Sequence, residues 1–158
     1  MPALDTFPAP DVAETLKVKE VTGVVELVKE DHAAVLAAVG DLRKLAKEGV
    51  KENAGAIANT IVAMRTAIKL HLAAEDRVLY PALLKSVDPQ VAQRARQFRD
   101  EMGGVAAAYL DFARKWNTEG CVAGDPGGFR QHANEIFKAL HLRIQRENQE
   151  LYPLAALA

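Results

Sequence analysis

The sequence is poor in the features that mark extracellular, membrane-spanning and nucleic-acid-binding proteins. It holds one cysteine, Cys121, so it can form neither an internal disulfide nor a cysteine-rich metal site. No apolar run approaches the roughly 18 residues that a membrane span needs. Its 20 basic and 21 acidic residues are mixed along the chain, which leaves no basic field for nucleic acid or a membrane surface. We therefore expect a globular protein that binds neither.

The N-terminal stretch differs in composition from the rest of the chain. Residues 1–10 have no basic start and no apolar core, so we expect no signal peptide and a cytoplasmic protein. Residues 1–20 carry three prolines and little periodicity, and we predict an extended or partly disordered N-terminal arm there. Residues 21–158 are predicted to form a single domain.

Apolar residues then recur at steps of three and four, which is the period of a helix face. This pattern predicts helices over residues 21–48, 51–85 and 129–157, and a third that starts at the Asp88-Pro89 cap and runs to about Trp116. Residues 117–128 are glycine-rich and are predicted to form a loop, and Pro81 is expected to kink or end its helix. Four helices with short connections predict an all-α, up-down-up-down four-helix bundle.

The second predicted helix places two metal-binding side chains on its apolar face. His71 and Glu75 are one helical turn apart, and they share that face with Ile61, Met64 and Ile68. An imidazole and a carboxylate are costly to bury unless they are paired, hydrogen-bonded or bound to a metal. Nitrogen and oxygen ligands of this kind suit iron, manganese or zinc.

The chain also repeats itself. Leu79-Tyr80-Pro81 recurs as Leu151-Tyr152-Pro153, and Glu75 corresponds to Glu147. In the same register His32 of the first helix corresponds to Met102 of the third. The sequence therefore predicts two helical hairpins packed face to face.

These residues resemble the hemerythrin-like HHE cation-binding domain over about residues 22–154. The features that carry the resemblance are His32 in the first helix, His71-x-x-x-Glu75 in the second, and the Leu-Tyr-Pro that follows. The resemblance implies a bundle with a buried non-heme iron site, usually of two ions. It also implies roles in binding or sensing oxygen, in handling nitric oxide or peroxide, or in iron-linked regulation.

The second half departs from the family pattern. Met102 and Arg143 stand where the family has histidines, and only Glu147 remains of the second motif. The matching metal ligands are then His32, His71, Glu75 and Glu147, which suffice for one divalent ion and are poor for two. Arg143 is expected to pair with Glu147 in place of the other half of the site.

Three further side chains are weaker candidates. His141 lies six residues before Glu147, about 240° around a regular helix, and it joins the site only if the helix carries a bulge or is rotated. Tyr109 is expected in the core, with a phenolic oxygen near the site as the alternative. His132 is about 22 Å along the helix from Glu147 and is expected to be a polar core or rim residue.

Several readings of the function remain open at this stage. The first is a non-heme iron protein with one ion or two that binds or senses a small diatomic or peroxide ligand, more as a binding protein than as an enzyme. The second is a metal-free structural or regulatory bundle that acts as an interaction module. A protein partner or a homodimer is compatible with both, and heme held between a histidine and a methionine is a distant third.

Overall fold

A computed structural model describes the backbone of residues 12–157 and the side chains from residue 23 to residue 157. This part of the chain is helical and contains no strand, which confirms the all-α prediction. Two segments, π1 and π2, are π-helical turns. The elements in chain order are α1 Val12–Gly49, α2 Ala54–Ala74, π1 Glu75–Leu79, α3 Tyr80–Leu84, α4 Pro89–Lys115, α5 Glu119–Gly124, α6 Pro126–Arg146, π2 Glu147–Leu151 and α7 Tyr152–Ala155.

Four long helices form the bundle. Helix α1 packs on α2 and α6, and α4 packs on the same two helices from the opposite side. Each helix thus has its two neighbours in a four-membered ring, as the up-down-up-down arrangement requires. Within residues 12–157 no helix is both long and apolar enough to cross a membrane.

The helix ends follow local capping chemistry. Asp88 caps α4 by accepting a hydrogen bond from the Gln90 amide at 2.9 Å, as predicted. The predicted loop 117–128 is wrong in detail, because Thr118 caps the short helix α5. Asp125 caps α6, which begins at Pro126, three residues before the predicted start. Helix α1 begins at Val12, inside the predicted arm. Residues 1–11 of that arm lie outside the described residues.

Both hairpins carry a π turn at the same place in the repeat. In π1 the amide of Tyr80 donates to the carbonyl of Glu75, five residues back, and in π2 Tyr152 does the same to Glu147. A proline follows each tyrosine, and its ring would clash with a carbonyl in an unbroken α-helix. A widened turn relieves that clash, so the predicted kink or helix end near Pro81 is replaced by a π turn.

The core has two apolar clusters. The larger lies toward the α2–α5 end and includes Ile61, Phe112 and Phe137, and the smaller lies toward the π turns and includes Leu79, Phe98 and Leu151. Along α1, α2 and α6 the polar site residues fall between members of the two clusters. The candidate site is therefore a polar layer inside an otherwise apolar bundle.

Candidate metal centre

Four side chains from four helical segments converge in this polar layer. His32 comes from α1, His71 from α2, Glu75 opens π1 and Glu147 opens π2. All four are buried, and one ligand atom from each lies within 4.8 Å of the others. The structure thus brings together the four predicted ligands, and their binding of a metal remains a prediction.

The contacts inside this group are short. The Nε2 atom of His71 is 2.9 Å from Glu75 Oε1 and 3.3 Å from Glu147 Oε2. The Nε2 atom of His32 is 2.7 Å from the same Glu147 oxygen and 3.2 Å from the His71 Nε2. Both imidazoles therefore point Nε2 at the same small region between the carboxylates.

Arg143 closes the other side of the carboxylates. Its Nε donates to Glu147 Oε1 at 2.6 Å, and Nη2 donates to Glu75 Oε2 at 3.1 Å. Nη1 donates to the backbone carbonyl of Met102 at 3.1 Å. The predicted pair with Glu147 is present, and the bridge to Glu75 was not foreseen. Each carboxylate thus turns one oxygen to the guanidinium and the other to the histidines.

Tyr152 is a member of the site that sequence reasoning missed. Its hydroxyl lies 2.9 Å from Glu147 Oε2, 3.1 Å from Glu75 Oε1 and 3.0 Å from His32 Nε2. On a regular helix, residues five apart point about 140° away from each other, so Tyr152 was not expected beside Glu147. The π turn between them brings positions i and i+5 into line. The repeated Leu-Tyr-Pro was the available signal.

A hydrogen bond outside the site orients His32. Its Nδ1 lies 3.2 Å from the amide oxygen of Asn148, which can only accept. Nδ1 therefore carries a hydrogen, and the Nε2 of a neutral ring presents a lone pair to the carboxylate of Glu147. Such a contact needs a proton or a cation between its two atoms. The Nδ1 of His71 is buried without a hydrogen-bond partner among the described residues.

The two carboxylates are equally buried but differ in the direction of their pKa shifts. For Glu147, burial alone would raise the pKa, but hydrogen bonds from the two histidines and the nearby Arg143 outweigh it and hold the pKa well below the usual range. For Glu75, burial is not fully offset, and the pKa is raised. Burial lowers the pKa of His71, yet hydrogen bonds to Glu147 and Glu75 raise it to about 9. Burial, followed by the nearby carboxylates, raises the pKa of Tyr152.

The donor atoms fit a cation. Metal bonds to imidazole nitrogen and carboxylate oxygen are roughly 2.0–2.2 Å, so neighbouring ligand atoms around one ion lie roughly 3 Å apart. Three of the separations between histidine nitrogens and carboxylate oxygens are 2.7, 2.9 and 3.3 Å, and all four ligand atoms lie within 4.8 Å of one another. Two imidazoles and two carboxylates form a ligand set for a first-row divalent ion. The residues present therefore match one ion in both chemistry and spacing.

A small cavity adjoins the site. Its volume is about 30 Å³, above the roughly 10–15 Å³ that one water requires. Both histidines, Arg143 and Glu147 form its polar border. The remaining walls are apolar and consist of Val35, Ile68, Leu72, Ala106, Leu140 and Ile144.

The other sequence candidates lie away from this centre. His141 is exposed. The π turn begins at Glu147, so residue 141 keeps the regular α-helical position that points it away from the site. The Tyr109 hydroxyl is buried and donates to the Ile61 carbonyl at 2.9 Å. His132 accepts from Trp116 Nε1 at 3.0 Å and is only partly buried, as expected of a rim residue. Met102 packs in the smaller apolar cluster.

Comparison with known families identifies a relationship over most of the chain. The model of the hemerythrin HHE cation binding domain matches residues 23–155. Searches of curated proteins and of solved structures gave no significant match. The matched range includes every residue of the candidate centre, and the buried histidine–glutamate group is what a cation-binding member of this family needs.

Proposed function

Because this chain belongs to the hemerythrin HHE cation-binding family, we propose that it is a non-heme iron protein that holds one ion and binds or senses a small neutral ligand. The observation that carries the proposal is the convergence of His32, His71, Glu75 and Glu147 within 4.8 Å. Nitrogen and oxygen donors in this number favour iron, manganese or zinc, and the family favours iron. Iron held there would supply a redox-active centre with affinity for dioxygen or nitric oxide.

The ion count of one rests on Arg143. Its guanidinium binds the carboxylate oxygens that face away from the histidines. A second ion bridged by the same two carboxylates would need those oxygens and would meet a fixed positive charge. The arginine therefore serves as a permanent cation in the place of a second ion, and it keeps both carboxylates oriented toward the first.

The choice of a small neutral ligand rests on the cavity. A space of about 30 Å³ with mostly apolar walls admits a molecule of two or three heavy atoms and disfavours charged or larger ones. It borders the histidines and Glu147, so a ligand inside it lies beside the proposed ion position. Dioxygen and nitric oxide fit this description. Peroxide is the most polar ligand that we expect the cavity to admit.

One observation favours a second function, a metal-free bundle that acts as an interaction module. Arg143 donates to one oxygen of each buried carboxylate. The Tyr152 hydroxyl can donate to Glu147 Oε2 and a hydrogen on His71 Nε2 can donate to Glu75 Oε1, so every carboxylate oxygen can have a donor without an ion. A buried network of this kind can persist as a structural core. Metal content separates the two functions.

The test is the metal content of the purified protein and of two histidine variants. We expect mass spectrometry to find one iron per chain in the unmodified protein, and none in His71→Ala. The control is His141→Ala, which removes an exposed histidine of α6 and should keep the iron. Two irons per chain would contradict the single-ion proposal, and no metal after reconstitution with iron(II) would support the metal-free module.

Ligand binding is tested on the iron(II) form without air. Addition of nitric oxide should change the absorption and electron paramagnetic resonance spectra with a stoichiometry of one per iron. Ile144→Phe fills the cavity from its apolar wall and should weaken that binding while the iron content stays the same. Unchanged nitric oxide binding in this variant would show that the ligand does not use the cavity.

A further inference from the structure

The hydroxyl oxygen of Tyr152 occupies the same environment as the four donor atoms already described. It lies 2.9–3.1 Å from three of them, His32 Nε2, Glu75 Oε1 and Glu147 Oε2. These separations fall within the 2.9–3.3 Å range found between His71 Nε2 and the other three donor atoms. We propose that Tyr152 is a fifth ligand of the ion and binds it through its phenolate oxygen.

The placement of Tyr152 relative to His71 supports this assignment. The Nε2 atom of His71 contacts the same three atoms, at 3.2 Å, 2.9 Å and 3.3 Å. Two atoms at nearly equal distances from the same three points lie either at one place or on opposite sides of the plane through those points. Two non-bonded atoms cannot share one place. The tyrosine oxygen and the histidine nitrogen therefore enclose the three atoms from opposite faces.

Proton counting indicates a cation at the centre of this five-atom cage. A phenol has one hydrogen, so Tyr152 can donate to only one of its three neighbours at a time. Even with a hydrogen on the Nε2 atom of both histidines, the phenol and the two imidazoles supply at most three hydrogens at this centre for the seven contacts among the five atoms. One cation bound by all five atoms satisfies every contact at once. The phenol proton passes to solvent when the oxygen binds the ion, because the charge of the ion stabilises the phenolate.

The repeat supplies a matched comparison. Tyr80 holds the equivalent position after π1, is also buried, and makes no hydrogen bond to the four predicted ligands. The two tyrosines share a sequence context, a π turn and a following proline. They differ in that only Tyr152 reaches the donor group. Tyr80→Phe is therefore the control for Tyr152→Phe.

The experiment is the visible spectrum of the protein loaded with iron(III). The inference rests on the proposed iron site, so iron per chain is measured in the same samples. We expect a phenolate-to-iron charge-transfer band in the unmodified protein and in Tyr80→Phe. Tyr152→Phe should lose the band and bind iron more weakly by at least the roughly tenfold that loss of an outer-shell partner costs.

Two outcomes overturn the assignment alone. One is an unmodified protein with one iron per chain and no such band. The other is a band that persists in Tyr152→Phe. An unmodified protein that binds no iron overturns the proposed function, and this inference with it. Should Tyr152→Phe fail to fold, resonance Raman spectra of unmodified protein with ring-deuterated tyrosine decide the matter, since phenolate modes must shift on labelling and their absence contradicts ligation.

Discussion

The two hairpins of this bundle are built alike and differ in what they present to the interior. Each carries a glutamate at the start of a π turn, a tyrosine five residues on and a proline after it. One turn before the glutamate, the first hairpin has His71 and the second has Arg143. The first hairpin presents imidazoles to the interior, whereas the second presents the permanent cation of Arg143. Two exchanges distinguish the halves in this register, Met102 in place of the His32 imidazole and Arg143 in place of the His71 imidazole.

The difference between the two hairpins also shows how the charge of the buried carboxylates is compensated. Two carboxylates inside a bundle need compensating positive charge. Arg143 provides one charge that is fixed by a covalent chain, and its side chain is only 7% exposed. The other side of the carboxylates is lined by titratable or exchangeable groups. The site combines a permanent cation with a position where protons and a metal ion can replace each other.

The largest expected effect on the difference between the two hairpins comes from removing the permanent charge of Arg143. Arg143→Met leaves Glu75 and Glu147 buried with one cation fewer. We expect the metal-free protein to lose roughly 3–5 kcal/mol in the free energy of unfolding, the usual loss when one partner of a buried pair is removed. Urea denaturation followed by circular dichroism measures it.

The control is a second arginine of the same helix. Arg146 pairs with Glu101 and Glu150 at the surface, at 2.7 Å and 2.8 Å. Arg146→Met should change the free energy of unfolding by on the order of 0–1 kcal/mol, because exposed pairs are screened by water and salt. Equal losses in the two variants would show that Arg143 has no special role in the interior.

A second change would make the two halves equal. The double variant Met102→His with Arg143→His places imidazoles at both positions where the second half departs from the family pattern. Because the carboxylate oxygens now held by Arg143 become free, we expect the iron content to rise from one ion per chain to two. Mass spectrometry of reconstituted protein measures this. A content that stays at one would mean that Arg143 is not what excludes the second ion.

The third prediction concerns how the stability of the metal-free protein depends on pH through His71 of the first hairpin. The pKa of His71 is raised from 6.5 to about 9 by its hydrogen bonds to the two carboxylates, which outweigh its burial. Protonated His71 therefore stabilises the metal-free fold fully below pH 6.5, and this stabilisation is lost as the pH rises through about 9. Thermal unfolding across this window measures the effect. The His71→Gln variant should show a flatter profile.

The smallest expected effect comes from a residue at the edge of the site. Asn148→Ala removes the acceptor of the His32 Nδ1 hydrogen bond. Loss of such an orienting partner typically lowers metal affinity by about tenfold to a hundredfold, and we expect the lower figure because Asn148 is exposed. Competition with a chelator measures the affinity. Asn134→Ala, an exposed change on α6, should leave it unaltered.

Sequence reasoning predicted the bundle and the grouping of the four ligands, because both follow from a helical period and a repeated motif. Tyr152 could not be placed by a fixed 3.6-residue period, since the π turn adds one residue to the spacing. The bridge from Arg143 to Glu75 crosses between hairpins, and no local spacing encodes it. Helix α5 was missed because its glycine-rich composition favoured a loop and outweighed the N-cap signal of Thr118.

The hydrogen bond between His32 and Tyr152 joins residues 120 positions apart in the chain. A partly folded chain that lacks either end therefore has no complete set of ligands. An ion that binds only the folded bundle would connect its first and last helices. At a free ion concentration of a hundred times its Kd, such binding adds about 2.7 kcal/mol to the free energy of unfolding. In a cell poor in that ion, the protein would open more often to proteases, so its lifetime would follow the supply of metal.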